Sequence, residues 1–335
     1  MSASSDRATR VVAVVGPTAS GKTSLAESLA LALGGEIVSA DSMQVYRGMD
    51  IGTAKPPAGE RRVPYHCLDL VDPGEPYSAA RFQLDARAAI DDIAARGRVP
   101  IVAGGTGLYV RAALDDMTFP GGEIGSAVRR AIELDAGRLG GQGLHDELAR
   151  RDPASAALIH PNNVRRTVRA LELAEQGISY AERAGRFRHR CFVRPTVMIG
   201  LVMDRDALYP RIDERVDEMM RAGLLDEVSR LLEAGYRSAL TASQAIGYKE
   251  LVRVVEEGAD IDSAVADIKR ATRHYAKRQS TWFRADARVL WLDVTGSESA
   301  RVTDDALRLV ESFEREEGGH GEEGGHARPR PTEGM

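Results

Sequence analysis

The chain predicts an α/β fold, a parallel sheet with helices on both faces and a helical insertion, on three observations. Short apolar runs recur along the 335 residues and alternate with segments of helical periodicity, the rhythm of parallel-sheet proteins. The runs are apolar throughout, as strands covered on both faces require. Between about Asp115 and Pro195 the strand rhythm stops and helical patterns continue.

In chain order, "VVAVV" (11–15) is the first strand and leads through "GPTASGKTSL" (16–25) into a helix over 22–33. "EIVSA" (36–40) and "HCLDLV" (66–71) follow as strands, then a helix over 78–96, the strand "VPIVAG" (99–104) and a helix over 106–114. After the insertion come "TVMIGLVM" (196–203), helices over 206–222, 224–234 and 263–284, the strand "RVLWLDV" (288–294) and a helix near 299–314. The domain reading is a core in two parts, 10–114 and 196–313, an arginine-rich helical insertion over 115–195, and a tail over 314–335. The tail is rich in Gly, Glu, His and Pro and is expected to be disordered; His320 and His326 read as solvated members of it.

Composition narrows the class. Hydrophobic residues make up 43% and charged residues 28%, as in an ordinary globular protein, and no apolar run approaches the roughly 20 residues that span a bilayer. The N-terminus "MSASSDRATR" lacks the apolar middle of a secretory signal, so a cytoplasmic protein without a membrane segment is expected. The two cysteines, Cys67 and Cys191, form no CxxC pair, which argues against a disulfide framework or zinc site. The net charge of −5 is unevenly spread. Between Arg150 and Arg194 lie ten arginines, no lysine and four acids, a local +6 that suits a polyanion.

"GPTASGKT" satisfies the G-x-x-x-x-G-K-[ST] pattern between a strand and a helix, the context that this phosphate-binding loop needs. Gly16, Pro17, Thr18, Ala19, Ser20, Gly21, Lys22 and Thr23 form the cradle. Its N–H groups and the start of the helix attract a polyphosphate, Lys22 neutralises charge, and the Thr23 hydroxyl suits Mg²⁺. The fold class is therefore a P-loop NTPase-like parallel sheet. Which polyphosphate is bound stays open among nucleotide hydrolases, small-molecule kinases and transferases with a diphosphate leaving group. The later strand ends in Gly104, Gly105 and Thr106 without the acid a hydrolase would carry there, which leaves Asp41 as the main carboxylate near the cradle. Asp41 could be a Mg²⁺ partner, a base or a helix cap, with Ser42 the better cap.

An ordered series of motifs resembles the tRNA dimethylallyltransferases. "GPTASGKT" is followed by "DSMQVYRGMDIGTAKP" (41–56), "YSAARFQLDA" (77–86), "VAGGTGLYVRAAL" (102–114), "IHPNNVRRTVRALE" (159–172), "DRDALYPRIDERVDEMM" (204–220), "QAIGYKE" (244–250) and "KRQSTWFR" (277–284). The resemblance spans roughly residues 11 to 294. It implies transfer of a dimethylallyl group from dimethylallyl diphosphate to the exocyclic amine of the adenine 3′ of the anticodon, with diphosphate leaving. The cradle would then grip a leaving group with Mg²⁺ at Thr23, Arg205 and Arg211 would add counter-charge, and Asp41 would take the amine proton, with Thr106 contacting the same amine. The partner implied is a tRNA anticodon stem-loop, and the protein is expected to act as a monomer.

The same resemblance assigns RNA contacts. They are Asp41, Ser42, Met43, Gln44 and Thr106 near the cradle, Arg129 by position, and Asn162, Asn163, Val164, Arg165 and Arg166 in the insertion. Asn163 stands where the family has Asp. Gln244, Gly247, Tyr248 and Lys249 form a further stretch. On the helix 263–284, Arg270, Arg273, Lys277 and Arg284 share one stripe that few acids interrupt, which suits phosphate. Trp282 and Phe283 read as core residues, with base stacking as the alternative.

Overall fold

Val11–Val15 (β1), Gly35–Ser39 (β2), Tyr65–His66 (β3), Val99–Gly104 (β4), Thr196–Val202 (β5) and Val289–Asp293 (β6) form one six-stranded sheet, ordered β3-β2-β4-β1-β5-β6. Every pairing is parallel. The structure is a computed structural model that describes residues 10–119, 126–238 and 241–319. The chain falls into two compact units, Met1–Leu114 with Val193–Met335, and Asp115–Phe192.

In the larger unit β1 is central, with Val12 level with Ile101 of β4 and Val197 of β5. All five β1 residues are buried, which explains their unbroken apolar run. The helix Lys22–Leu33 (α1) buries Leu25, Ala26, Leu29 and Ala30, one helical face, against this sheet. Ala79–Ala95 (α2) begins at Ser78, whose hydroxyl accepts from Arg81 N–H at 3.2 Å, and buries Phe82, Ala86, Ile90 and Ile93. Gly107–Leu114 (α3) follows β4 directly.

The smaller unit is helical: Ala127–Arg151 (α4, broken at Gly140), Pro153–Ala156 (α5), Val164–Glu175 (α6) and Tyr180–Arg188 (α7). Ile132, Leu144, Leu148, Ile159, Val168 and Leu171 belong to its own core. An antiparallel bridge between Asp115 and Phe192 joins its two ends.

The chain then returns through β5 to Arg205–Arg221 (α8), Leu224–Glu233 (α9), Tyr248–Glu257 (α10), Ile261–Arg284 (α11) and, after β6, Ser299–Gly319 (α12). Three expectations need correction. "HCLDLV" pairs in the sheet only at its first residue, because left-handed backbone at Cys67 (φ +61°) and Asp69 (φ +54°) takes the chain out of the ladder. Leu70 and Val71 N–H bond instead to Val45 O, at 2.7 and 3.1 Å. α10 has no counterpart among the expected elements. α12 continues past Glu314, where the disordered tail was expected to begin, as far as Gly319. His320, His326 and the rest of the tail lie outside the described residues.

Candidate active site

Three loops leave the C-terminal ends of β1, β2 and β4, the edge at which open α/β sheets hold ligands. The first is the cradle. Gly16 adopts φ +143° with its α-carbon so close to β5 that a Cβ there would lie 2.8 Å from Leu201 O, so only glycine fits. Ala19 is left-handed (φ +62°), and Gly21 (φ +91°) opens α1 in the same region. Alternation of this kind turns successive N–H groups to one side, a nest for anions. Within the loop, Pro17 O accepts from Ser20 Oγ at 2.8 Å and from Lys22 Nζ at 2.5 Å.

The second loop carries Asp41. No helix follows it, so the helix-cap alternative falls; the Asp41 carboxylate instead accepts from Met43 N–H at 2.9 Å and closes its own turn. Gln44 accepts from Ser39 Oγ at 2.8 Å and donates to Thr53 O at 3.2 Å, which ties the Asp41 turn to the middle of "DIGTAKP". The third loop, "GGTG", supplies Thr106. Its Oγ1 accepts from Ser42 N–H at 3.1 Å. Through this bond Thr106 braces the Asp41 turn; it is not among the walls of the two cavities described next.

A cavity of about 480 Å³ and a smaller one of about 90 Å³ share Thr18, Asp41, Thr53, Arg215 and Tyr275 as walls. The smaller contains Lys22 and Thr23; the larger opens past Ile212, Val216, Met219 and Ile268 to Gln244, Gly247, Tyr248 and Lys249. Asp41 thus stands between cradle and channel. Burial raises its carboxyl above the usual carboxylate range, against the opposing pull of Met43 N–H, Lys22, Gln44 N–H and Arg215. Burial, with repulsion from Arg215, lowers Lys22 to about 7, while Asp41 pulls it the other way. Burial also lowers Arg215.

The other expected residues divide. Arg205 and Arg211 are exposed on α8 and line neither cavity; the α8 arginine that does is Arg215, one turn beyond Arg211 and on the inward face with Ile212 and Val216. The i, i+4 step from Arg211 could have found it. Tyr248 is fully buried, and its hydroxyl donates to Glu227 Oε1 at 2.5 Å, so it cannot present a free side chain to RNA. The Glu227 carboxylate also accepts the N–H groups of Asp50, Ile51 and Gly52 at 2.9–3.2 Å, a role with no sequence signal beyond an acid in a helix. Lys277 and Arg284 are exposed on α11. Arg273 is not part of a free stripe: both Asp213 oxygens of α8 accept from it, at 2.6 and 2.7 Å, and Arg270 pairs with Asp267. Phe283 is buried, and Trp282 packs so closely on Gly107 that a Cβ there would lie 2.1 Å from the indole.

In the smaller unit Asn163 caps α6, its side chain accepting from Arg166 N–H at 3.3 Å. The role needs an oxygen acceptor, which Asn supplies as well as Asp. Asn162, Arg165 and Arg166 are exposed, while Val164 is half-buried against the unit's core. Arg129 is committed to Glu133 at 2.9 Å and to the buried Glu172 at 3.6 Å, which Arg169 also bonds at 2.6 Å.

The fold and site define a P-loop α/β protein whose polyphosphate cradle faces a partly desolvated aspartate. Residues 44–286 match the model of the IPP transferase family, and residues 9–63 match that described as isopentenyl transferase. The chain is 49% identical over 295 residues to the tRNA dimethylallyltransferase of Geobacillus thermodenitrificans, covering 88% of this chain and 93% of the relative. It is 50% identical over 308 residues to that of Symbiobacterium thermophilum, covering 90% and 94%. The crystal structure of the tRNA isopentenylpyrophosphate transferase of Bacillus halodurans matches with TM-score 0.67 at 42% identity, over 92% of this chain and 99% of that one. A eukaryotic dimethylallyltransferase, solved acting on tRNA, matches with TM-score 0.70 at 29% identity, over 86% and 74%. The chain belongs to the IPP transferase family, the tRNA dimethylallyltransferases.

Proposed function

We propose that this protein transfers a dimethylallyl group from dimethylallyl diphosphate to the exocyclic amine of the adenine 3′ of the anticodon in tRNA, acting as a monomer. The observation that carries the reading is the place of Asp41, a wall of both the cradle-side cavity and the larger channel. An adenine in a stacked loop must leave its stack to reach such a carboxylate. Its amine nitrogen attacks the allylic carbon, the carbon–oxygen bond to diphosphate breaks, and the amine proton passes to Asp41. A carboxylate made more basic by burial suits that last step. Lys22, Arg215 and the cradle N–H groups stabilise the negative charge that grows on the diphosphate. Apolar walls such as Ile212 and Ile268 keep water from the allylic carbon.

The donors suit Mg²⁺. Thr23 and Asp41 line one cavity, and among the described residues no group of three His, Cys, Asp or Glu forms a cage. A hard cation that takes most of its oxygens from diphosphate and water fits such a sparse set. Thr23 would hold it, and when bound it neutralises charge on the leaving group. Arg165 and Arg166, exposed on α6, would meet RNA phosphates.

The test is to incubate the purified protein with Mg²⁺, dimethylallyl diphosphate and an anticodon stem-loop carrying adenine at that position. Prenylated RNA is expected with release of diphosphate, and ATP is expected to give no phosphoryl transfer. A phosphorylated metabolite formed in step with ATP consumption would establish a kinase instead. Asp41→Ala is expected to lower turnover by about 10²–10⁴-fold, the range for a positioned proton acceptor, with RNA affinity unchanged.

A further inference from the structure

We propose that Gln279 is a positioning residue that sets the distance between the diphosphate cradle and the acceptor side of the site. The proposal rests on the prenyl-transfer function above. Gln279 lies on α11, is 5% exposed, and sits 261 residues from the loop it touches. Its carbonyl oxygen accepts from Thr18 N–H, in the cradle, at 2.9 Å. Its amide nitrogen donates to Gly105 O, in the "GGTG" turn, at 3.0 Å. One planar amide therefore spans the loop that holds the leaving group and the turn whose Thr106 braces Asp41.

Two further observations mark this as a built junction. A Cβ on Gly105 would lie 2.1 Å from the Gln279 amide nitrogen, so the glycine is required for the approach. The Tyr275 phenol, one turn back on α11, is a wall of both cavities, and Gln279 itself lines the smaller one beside Gly105. The side chain also spends a cradle N–H on protein instead of phosphate. That is unprofitable for affinity and sensible for geometry, because bond formation requires the allylic carbon and the amine at about 3–3.5 Å.

The substitution Gln279→Met keeps length and volume while removing both bonds; Gln279→Asn keeps the amide but is one methylene too short to span. For both, kcat is expected to fall about 100-fold, the scale of a 1 Å misplacement, with KM for dimethylallyl diphosphate and for RNA within about threefold of wild type. Amide hydrogen exchange at Thr18 should accelerate, and the thermal midpoint should fall by only a few degrees, leaving both variants folded at the assay temperature. Wild-type kcat in either folded variant overturns the proposal. So does a loss of diphosphate affinity that matches the loss of turnover, which would make Gln279 part of the grip. Should the wild-type protein prenylate no RNA, the functional reading fails by itself, and unaltered Thr18 exchange in the variants would then overturn the tie separately.

Discussion

Lys22 makes the affinity for diphosphate depend on pH in a calculable way. In the free protein its ammonium titrates near 7, because burial and the neighbouring Arg215 disfavour the charged form. A bound diphosphate reverses that balance and favours the ammonium, whose ordinary pKa is about 10.4. Below pH 7 the lysine is charged with or without ligand, and affinity is flat as far as this group is concerned. Above pH 7 the ligand must bring a proton with it, so affinity falls as pH rises. If the complex keeps Lys22 charged, affinity follows the protonated fraction of the free protein: about one-half at pH 7, one-tenth at pH 8 and one-hundredth at pH 9. The loss from pH 7 to pH 9 is about fiftyfold, and binding at pH 8 takes up about 0.9 proton. Titration calorimetry with dimethylallyl diphosphate, in two buffers of different ionisation enthalpy, measures both. Lys22→Arg, which stays charged throughout, corrects for the ligand's own titration and should abolish the slope. Equal slopes in wild type and Lys22→Arg would refute the reasoning.

Arg215→Ala should weaken dimethylallyl diphosphate binding by about 10–100-fold, the scale of a lost charge-assisted hydrogen bond, and move the pH slope upward because Lys22 loses its repulsive neighbour. Arg211→Ala, on the exposed face, should stay within threefold; equilibrium binding distinguishes them. Arg166→Glu should weaken binding of an anticodon stem-loop and lower the slope of log affinity against log salt by about 1–2, read from binding across salt concentrations. Glu227→Ala strips three backbone N–H groups and the Tyr248 hydroxyl of their buried partner. It should lower unfolding stability by about 3 kcal/mol or more, seen as a reduced denaturant midpoint.

Where a segment's neighbours in sequence are also its neighbours in energy, the elements were legible. α1 begins and ends at the residues expected, because Gly21 and Gly34 bound it and its apolar face repeats at helical spacing. α10 was not legible. Val252, Val254 and Val255 stiffen the chain toward strand, and burial of Tyr248 and Leu251, with end caps from Glu250 and the left-handed Gly258, overrides that preference. The third strand shortened for a similar reason: Asp69 turns aside to meet the buried Lys55 ammonium at 2.5 Å, a partner 14 residues away. The basic stripe on α11 looked unopposed because Asp213, the acid that holds Arg273, stands on α8, 60 residues away in sequence.

Residue order alone settled the phosphate-binding loop, the parallel sheet and the family, because each is written in contiguous motifs whose local geometry follows from glycine, lysine and hydroxyl at set spacings. Tertiary packing decided which α8 arginine enters the cavity, how basic Asp41 and Lys22 are, and that Gln279 joins Thr18 to Gly105 across the fold. Those properties depend on distance and on the exclusion of water, and both exist only once residues remote along the chain have been brought together.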